Sequence, residues 1–242
     1  MIPQKINPLT HQPHDTLVKR KVAAYARVST DLEEQLDVDA ENFIAGNIAP
    51  DCGKKLPDGG FFPDAHVTHF TASGKGSCDY NGFYEKYVRP EKVPARKAFY
   101  LGYYVHLFTD VLWVRNINEP CKKKFNALYT SDRDEYYRRV KANWYDLDHL
   151  WLRNNPCFRS WNIFKTLTSF RNDFLSFYDE DNLSVQFAGI VRFYTSAPPV
   201  ADRDFPYLSP FQAEEFVRCA SQEILNDIKG KEYTYNEQKG NC

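Results

Sequence analysis

The chain has 242 residues with 31 Lys+Arg against 32 Asp+Glu, a formal net charge of −1. That length allows one large domain or two small ones with a sizeable core, and the balanced charge provides no general attraction to nucleic acid or to an anionic membrane. Aromatic residues make up 16% of the chain, enough to wall a pocket.

Residues 1–20 are polar and interrupted by Pro3, Pro8 and Pro13, which reads as an extended arm without the apolar core of a secretory signal. The run KVAAYARVS, Lys21–Ser29, fits a short strand. Thr30 or Asp31 then caps a helical turn through Glu33, Glu34 and Gln35. A second helix is expected over Ala40–Ile48, stopping at Pro50. Residues 50–82 are rich in Gly, Pro and Asp and read as a long loop, a length that in a compact chain points to function.

From Asn81 onward the pattern is helical, with helices expected near 81–88, 94–117, 131–154, 158–177, 182–195 and 209–228. In the last of these Ser209 is the cap, Pro210 takes the first position and Gly230 marks the end, so the tail from 229 to 242 is expected to fray. The fold class is therefore all-α: a multi-helix bundle around one central buried helix, preceded by a short non-helical arm or strand. No apolar run reaches the ~20 residues of a membrane span. The six cysteines, at 52, 78, 121, 157, 219 and 242, include no C-x-x-C pair. They read as scattered reduced thiols in a cytoplasmic protein.

The stretch FYLGYYVHLFTDVLW, Phe99–Trp113, is apolar nearly all round, yet it holds His106 and Asp110. Four residues apart, they lie on one helical face one turn from each other. A single histidine there reads as a core residue bonded to a neighbour, but a carboxylate costs several kcal/mol to bury, ~2–7 for even a neutral polar group, unless it is paired or ligates a metal. The pair is either a hydrogen-bonded polar cluster or half of a metal site. Asp51, after Pro50, and His69, in HVTHF, complete a set of two imidazoles and two carboxylates. That mixture suits zinc better than the all-oxygen shells of calcium or magnesium.

Three segments carry a resemblance. ENFIAGNIAPD (41–51), DAHVTHF (64–70) and FYLGYYVHLFTD (99–110) resemble the zinc-dependent phospholipase C family, an all-α bundle whose core helix reads F-Y-L-G-x-x-x-H-x-x-x-D. The resemblance covers roughly residues 37–228 and implies one zinc held by Asp51, His69, His106 and Asp110; with a single zinc, Asp51 reads as both ligand and catalytic proton acceptor. It implies hydrolysis of a phosphodiester such as a phospholipid head group. The chain departs from the family after the core helix: VLWVRNINEPCKKK supplies no histidine for further zinc ions. His66 is a second candidate ligand, and His149, in YDLDHLWL, reads as a helix residue with a capping or surface role.

Residues 1–36 are different. KRKVAAYARVSTDLEEQ, 19–35, resembles the start of the large serine recombinases, in which the serine of A-R-V-S-T-D attacks a DNA phosphate. The matched positions are Arg27 and Ser29. The further arginines that would stabilise a transferring phosphate are not recognisable, so no nucleic-acid partner is expected. The chain thus reads as a recombinase-like fragment (1–36), a phospholipase C-like body (37–228) and a flexible tail (229–242). Three functions follow in order: a zinc-dependent phosphodiesterase, a non-catalytic metal-stabilised binding protein, and a recombinase-related DNA-cleaving protein.

Overall fold

The structure, a computed structural model, describes Val28, Leu32 and residues 35–58, 60–196 and 204–240, the last seven of these as backbone alone. The architecture is all-α. Helix α1 (Ala40–Ile48) opens it, capped by the Asp39 carboxylate, which accepts from the Asn42 amide at 2.9 Å. A 3-10 turn (Ala49–Asp51) follows. Among the described residues the only sheet is a small antiparallel hairpin, β1 (Lys54–Lys55) with β2 (Phe61–Phe62), in the register Lys54 to Phe62 and Lys55 to Phe61. One-turn helices α2 (Ala65–Thr68) and α3 (Tyr80–Phe83) lead to the long α4 (Pro94–Trp113). After α4 come α5 (Glu119–Lys124), α6 (Asn126–Ser131), α7 (Arg133–Asn154), α8 (Arg159–Phe164), α9 (Asn182–Ser196) and α10 (Pro210–Gly240).

Helix α4 is the axis of the molecule. Pro94 occupies its first turn, where no amide partner is lost. Every residue from Ala98 to Asp110 is buried. Helix α1 lies along it at backbone contact. A Cβ on Gly46 would fall 1.9 Å from the Phe99 carbonyl oxygen, and one on Gly102 would fall 2.0 Å from that of Phe43. Only glycine at both positions permits this approach. Elsewhere α4 meets α10 and α7 through Trp113, whose ring packs edge-on against Phe216 at 5.0 Å and Trp144 at 5.2 Å.

Three expectations are corrected. First, the segment read as a non-helical strand over 21–29 lies outside the described residues except for Val28, and Val28 is helical. Val28 and Leu32 are both helical and 0% exposed within the core, and a four-residue spacing brings both to one helical face. Second, the helix expected over 158–177 ends as α8 at Phe164. Asn172 replaces the helical bonds: its amide donates to the carbonyls of Leu175 and Tyr178 at 2.7 and 3.0 Å, while its oxygen accepts from the Leu175 amide at 3.1 Å. The apolar residues that mimic helical spacing instead pack as a loop, with Phe174 stacked on Phe99 at 4.5 Å. Third, α10 continues past Gly230 to Gly240. Lys231 ties that extension down, donating to Asp227 at 2.6 Å and lying over the rings of Tyr84 and Tyr104. The start of α10 is as expected: Ser209 and Gln212 cap each other reciprocally, at 3.2 and 3.0 Å.

Candidate metal centre

The segment between α1 and α4 is a structured chain laid across α4, and it carries half of the site. Asp51 ends the 3-10 turn. Tyr178 holds that turn by donating to the Ala49 carbonyl at 2.6 Å, and Asn182 donates to the Cys52 carbonyl at 2.6 Å. His69 follows α2, which Tyr103 of α4 pins by donating to the Thr68 carbonyl at 2.5 Å. Phe70, next in sequence, adopts φ of +48°. That conformation is unfavourable for a bulky residue, and it turns the Phe70 ring into the aromatic cluster of Phe83 and Tyr103.

These anchors bring together what the sequence separates. One ligand atom each from Asp51, His69 and His106 lies within 4.8 Å of the others, a group able to hold a metal ion. Asp110 borders it: its Oδ2 is 3.5 Å from His69 Nε2 and 3.6 Å from His106 Nε2. His66 is exposed, and its Nδ1 is engaged with the Thr71 carbonyl at 2.8 Å, outside the group. His149 is also outside it. Contrary to the surface role expected, His149 is only 9% exposed, between the rings of Phe193 and Tyr194.

The tautomers favour ligation. His106 Nδ1 lies 2.6 Å from the Asn47 carbonyl oxygen, an obligate acceptor, so Nδ1 carries the proton. The Nε2 of His106 faces the Asp110 carboxylate at 3.6 Å. Fixing a ligand imidazole through its other nitrogen is the usual arrangement in metal sites. His69 Nδ1 pairs with the Thr68 hydroxyl at 2.9 Å. Its Nε2 faces Asp51 at 3.2 Å and Asp110 at 3.5 Å, buried and without the alignment of a hydrogen bond. Two carboxylates and imidazole nitrogens aimed at one another require a cation among them.

In this structure that cation is Lys75, which sequence reasoning missed. Its Nζ donates to Asp51 Oδ1 at 2.9 Å and lies 3.1 Å from Asp110 Oδ2. Burial alone would push both carboxyls up. The Lys75 ammonium, with the neighbouring imidazoles, outweighs burial and holds both well below the usual carboxylate range. Burial would likewise lower the Lys75 ammonium, but Asp110 and Asp51 hold it above its ordinary value. Burial and then the Lys75 charge press His69 toward the neutral form, against the pull of the two carboxylates. Cys78 lies outside the group: its thiol donates to the Lys75 carbonyl at 3.0 Å, and burial and then the Asp110 charge raise it to about 12. The available signal for Lys75 was its setting in SGKGS, where Gly74 sits at φ of +112°. The Lys75 side chain remains 38% exposed, so solvent is an open route for its departure.

No family model, curated protein or solved structure matches this chain. No helix among the described residues is long and apolar enough to cross a membrane.

Proposed function

We propose that the chain is a zinc-dependent hydrolase of phospholipase C type that acts on a phosphodiester. The observation that supports it is the convergence of Asp51, His69 and His106 beside Asp110, with His106 oriented by the Asn47 carbonyl. The donors suit zinc: two imidazoles and carboxylates that remain ionised. Bound there, zinc would polarise a phosphoryl oxygen and lower the pKa of its water to about 7.

The remaining chemistry belongs to the chain. The Asp51 side chain is 15% exposed and borders a pocket of about 230 Å³ with His69, Phe61 and Lys75. From that position its carboxylate takes the proton of the attacking water. His106 and Asp110 are held on a helix that is buried from Ala98 to Asp110. A zinc ion held by Asp51, His69, His106 and Asp110 would replace the Lys75 ammonium as the neutralising charge at the two carboxylates, leaving Lys75 to pair with the incoming phosphate. Elemental analysis and hydrolysis of bis(p-nitrophenyl) phosphate test this reading. Stoichiometric zinc with turnover lost in Asp51→Asn is the expected outcome; turnover unchanged by chelation rules it out.

A second reading, a non-catalytic binding protein, draws on the Lys75 ion pairs, which neutralise the cluster from within. Stoichiometric zinc without turnover of any phosphodiester would favour a metal-stabilised form of it. The third, recombinase-related reading rests on Arg27 and Ser29, which lie outside the described residues. Covalent DNA adducts that depend on Ser29 would support it.

A further inference from the structure

A second, larger cavity of about 600 Å³ adjoins the metal group, and Lys75 lines both. Its walls are the 73–77 loop, the turn Val114–Asn118 and one face of α7, where Tyr137, Trp144 and Tyr145 stand at helical spacing. Val114–Asn118 is a π-helical turn that extends α4, a kind of insertion that recurs at functional sites. Every cation of the lining is already engaged. Lys75 holds Asp51 and Asp110, and Lys122 donates to Glu119, the one lining carboxylate, at 2.6 Å. Lys141 has a partner, and the exposed Arg133 lies over the Tyr129 and Tyr137 rings at 5.5 and 5.8 Å. One polar atom of the lining residues is left over: Asn118 Oδ1 is buried and has no hydrogen-bond partner among the described residues.

From this we infer that the cavity binds an uncharged aromatic molecule carrying a hydroxyl or an amide N–H, its rings against Val114, Trp144 and Tyr145 and its donor on Asn118 Oδ1. Charge selects against ions. An anion would give up water without gaining an unpaired cation, and a cation would meet ammonium and guanidinium groups. The ring walls select a flat aromatic body, which packs on Trp and Tyr by stacking or edge contact. The volume lies within the ~300–1,000 Å³ of organic-ligand sites, ample for fused rings. Asn118 selects the polar group, because a buried acceptor without a partner is costly and a ligand O–H or N–H removes that cost. None of these features needs a metal, so the inference is independent of the hydrolase reading.

The test is calorimetry on the full chain with three probes that share one ring system: 2-naphthol, its methyl ether and 2-naphthyl phosphate. The naphthol is uncharged at neutral pH and has the donor; the ether lacks the donor, and the phosphate is an anion. The expected result is that 2-naphthol binds about tenfold more tightly than either of the others. Asn118→Leu should abolish the preference for the naphthol over the ether while leaving the melting temperature unchanged. If that variant melts early, the wild-type protein decides alone, through nuclear Overhauser contacts from the naphthol ring protons to Trp144 and Val114. Phosphate bound as tightly as the naphthol, an ether that binds equally well, no binding, or ring contacts that miss Trp144 and Val114 would each overturn the inference.

Discussion

Helices α4 and α7 each bury an imidazole with at least one carboxylate, yet among the described residues only α4 contributes to a group able to hold a metal ion. On α4, His106 and Asp110 are 2% and 0% exposed; on α7, Asp146, Asp148 and His149 are 4%, 9% and 9% exposed. The difference is what lies opposite. A second ligand-bearing segment crosses α4, and α1 approaches closely enough for its Asn47 carbonyl to orient His106. Helix α9 lies opposite α7, and it supplies aromatic rings and the Tyr194 hydroxyl, which donates to Asp148 at 2.9 Å. Burial makes ionisable groups costly on both helices. Convergence of orientated donors makes a candidate binding site on one of them.

The largest effect should come from closing the α1–α4 approach. Gly102→Val would drive a side chain into the Phe43 carbonyl, and we expect about 4 kcal/mol of destabilisation in denaturant melts. Gly189 on α9 has open space where its Cβ would be, so Gly189→Ala should instead stabilise by about 0.5–1 kcal/mol. Equal responses at the two glycines would erase the contrast between the two regions.

The next effect separates the two histidines. His106→Ala should weaken zinc binding by about 100-fold or more, measured by competition with a chromogenic chelator, since a ligand loss should exceed the ~10–100-fold typical of outer-shell changes. His149→Ala should leave the affinity unchanged. Retained stoichiometric zinc in His106→Ala would remove the assignment.

Lys75 offers a sharper test of how the α4 site is neutralised. Lys75→Met leaves two carboxylates without their cation. Breaking a fully buried pair costs about 3–5 kcal/mol. The exposure of Lys75 reduces this, and we expect about 2 kcal/mol in chelator, recovered on adding zinc. Zinc affinity should rise, because no ammonium competes. A Lys75→Met protein that binds zinc less tightly than wild type would show that lysine and metal do not compete.

The smallest effect concerns pH and α7. Burial lowers His149 from 6.5 to about 4. Between those values the unfolded chain binds the proton and the folded chain does not. The stability contributed is therefore present above pH 6.5 and is lost as pH falls toward 4. His149→Leu should show a shallower decline of melting temperature over that interval; an identical decline would place the titration elsewhere.

The boundaries of α1, α7 and α9 were legible because caps, prolines and apolar spacing are local. The His106–Asp110 face was legible because helical geometry fixes it within one turn. The loop after α8 was not, since Asn172 satisfies backbone groups in a way that apolar periodicity conceals. Val28 was misread because a run of small and branched apolar residues suits either a strand or a helix until its packing partner is known.

By itself, then, the sequence determined an all-α chain and placed an imidazole and a carboxylate on one face of its central helix. Only the tertiary structure decided what surrounds them. Gly46 and Gly102 are 56 positions apart in the numbering, and it is their close approaches to the Phe99 and Phe43 carbonyls that bring the Asn47 carbonyl to His106. Lys75 reaches Asp51 and Asp110 from a loop with no periodicity to announce it. The physical reason is the same in both cases. Helical pattern is set by bonds between near neighbours, whereas ligation and charge compensation depend on where distant backbone segments come to rest.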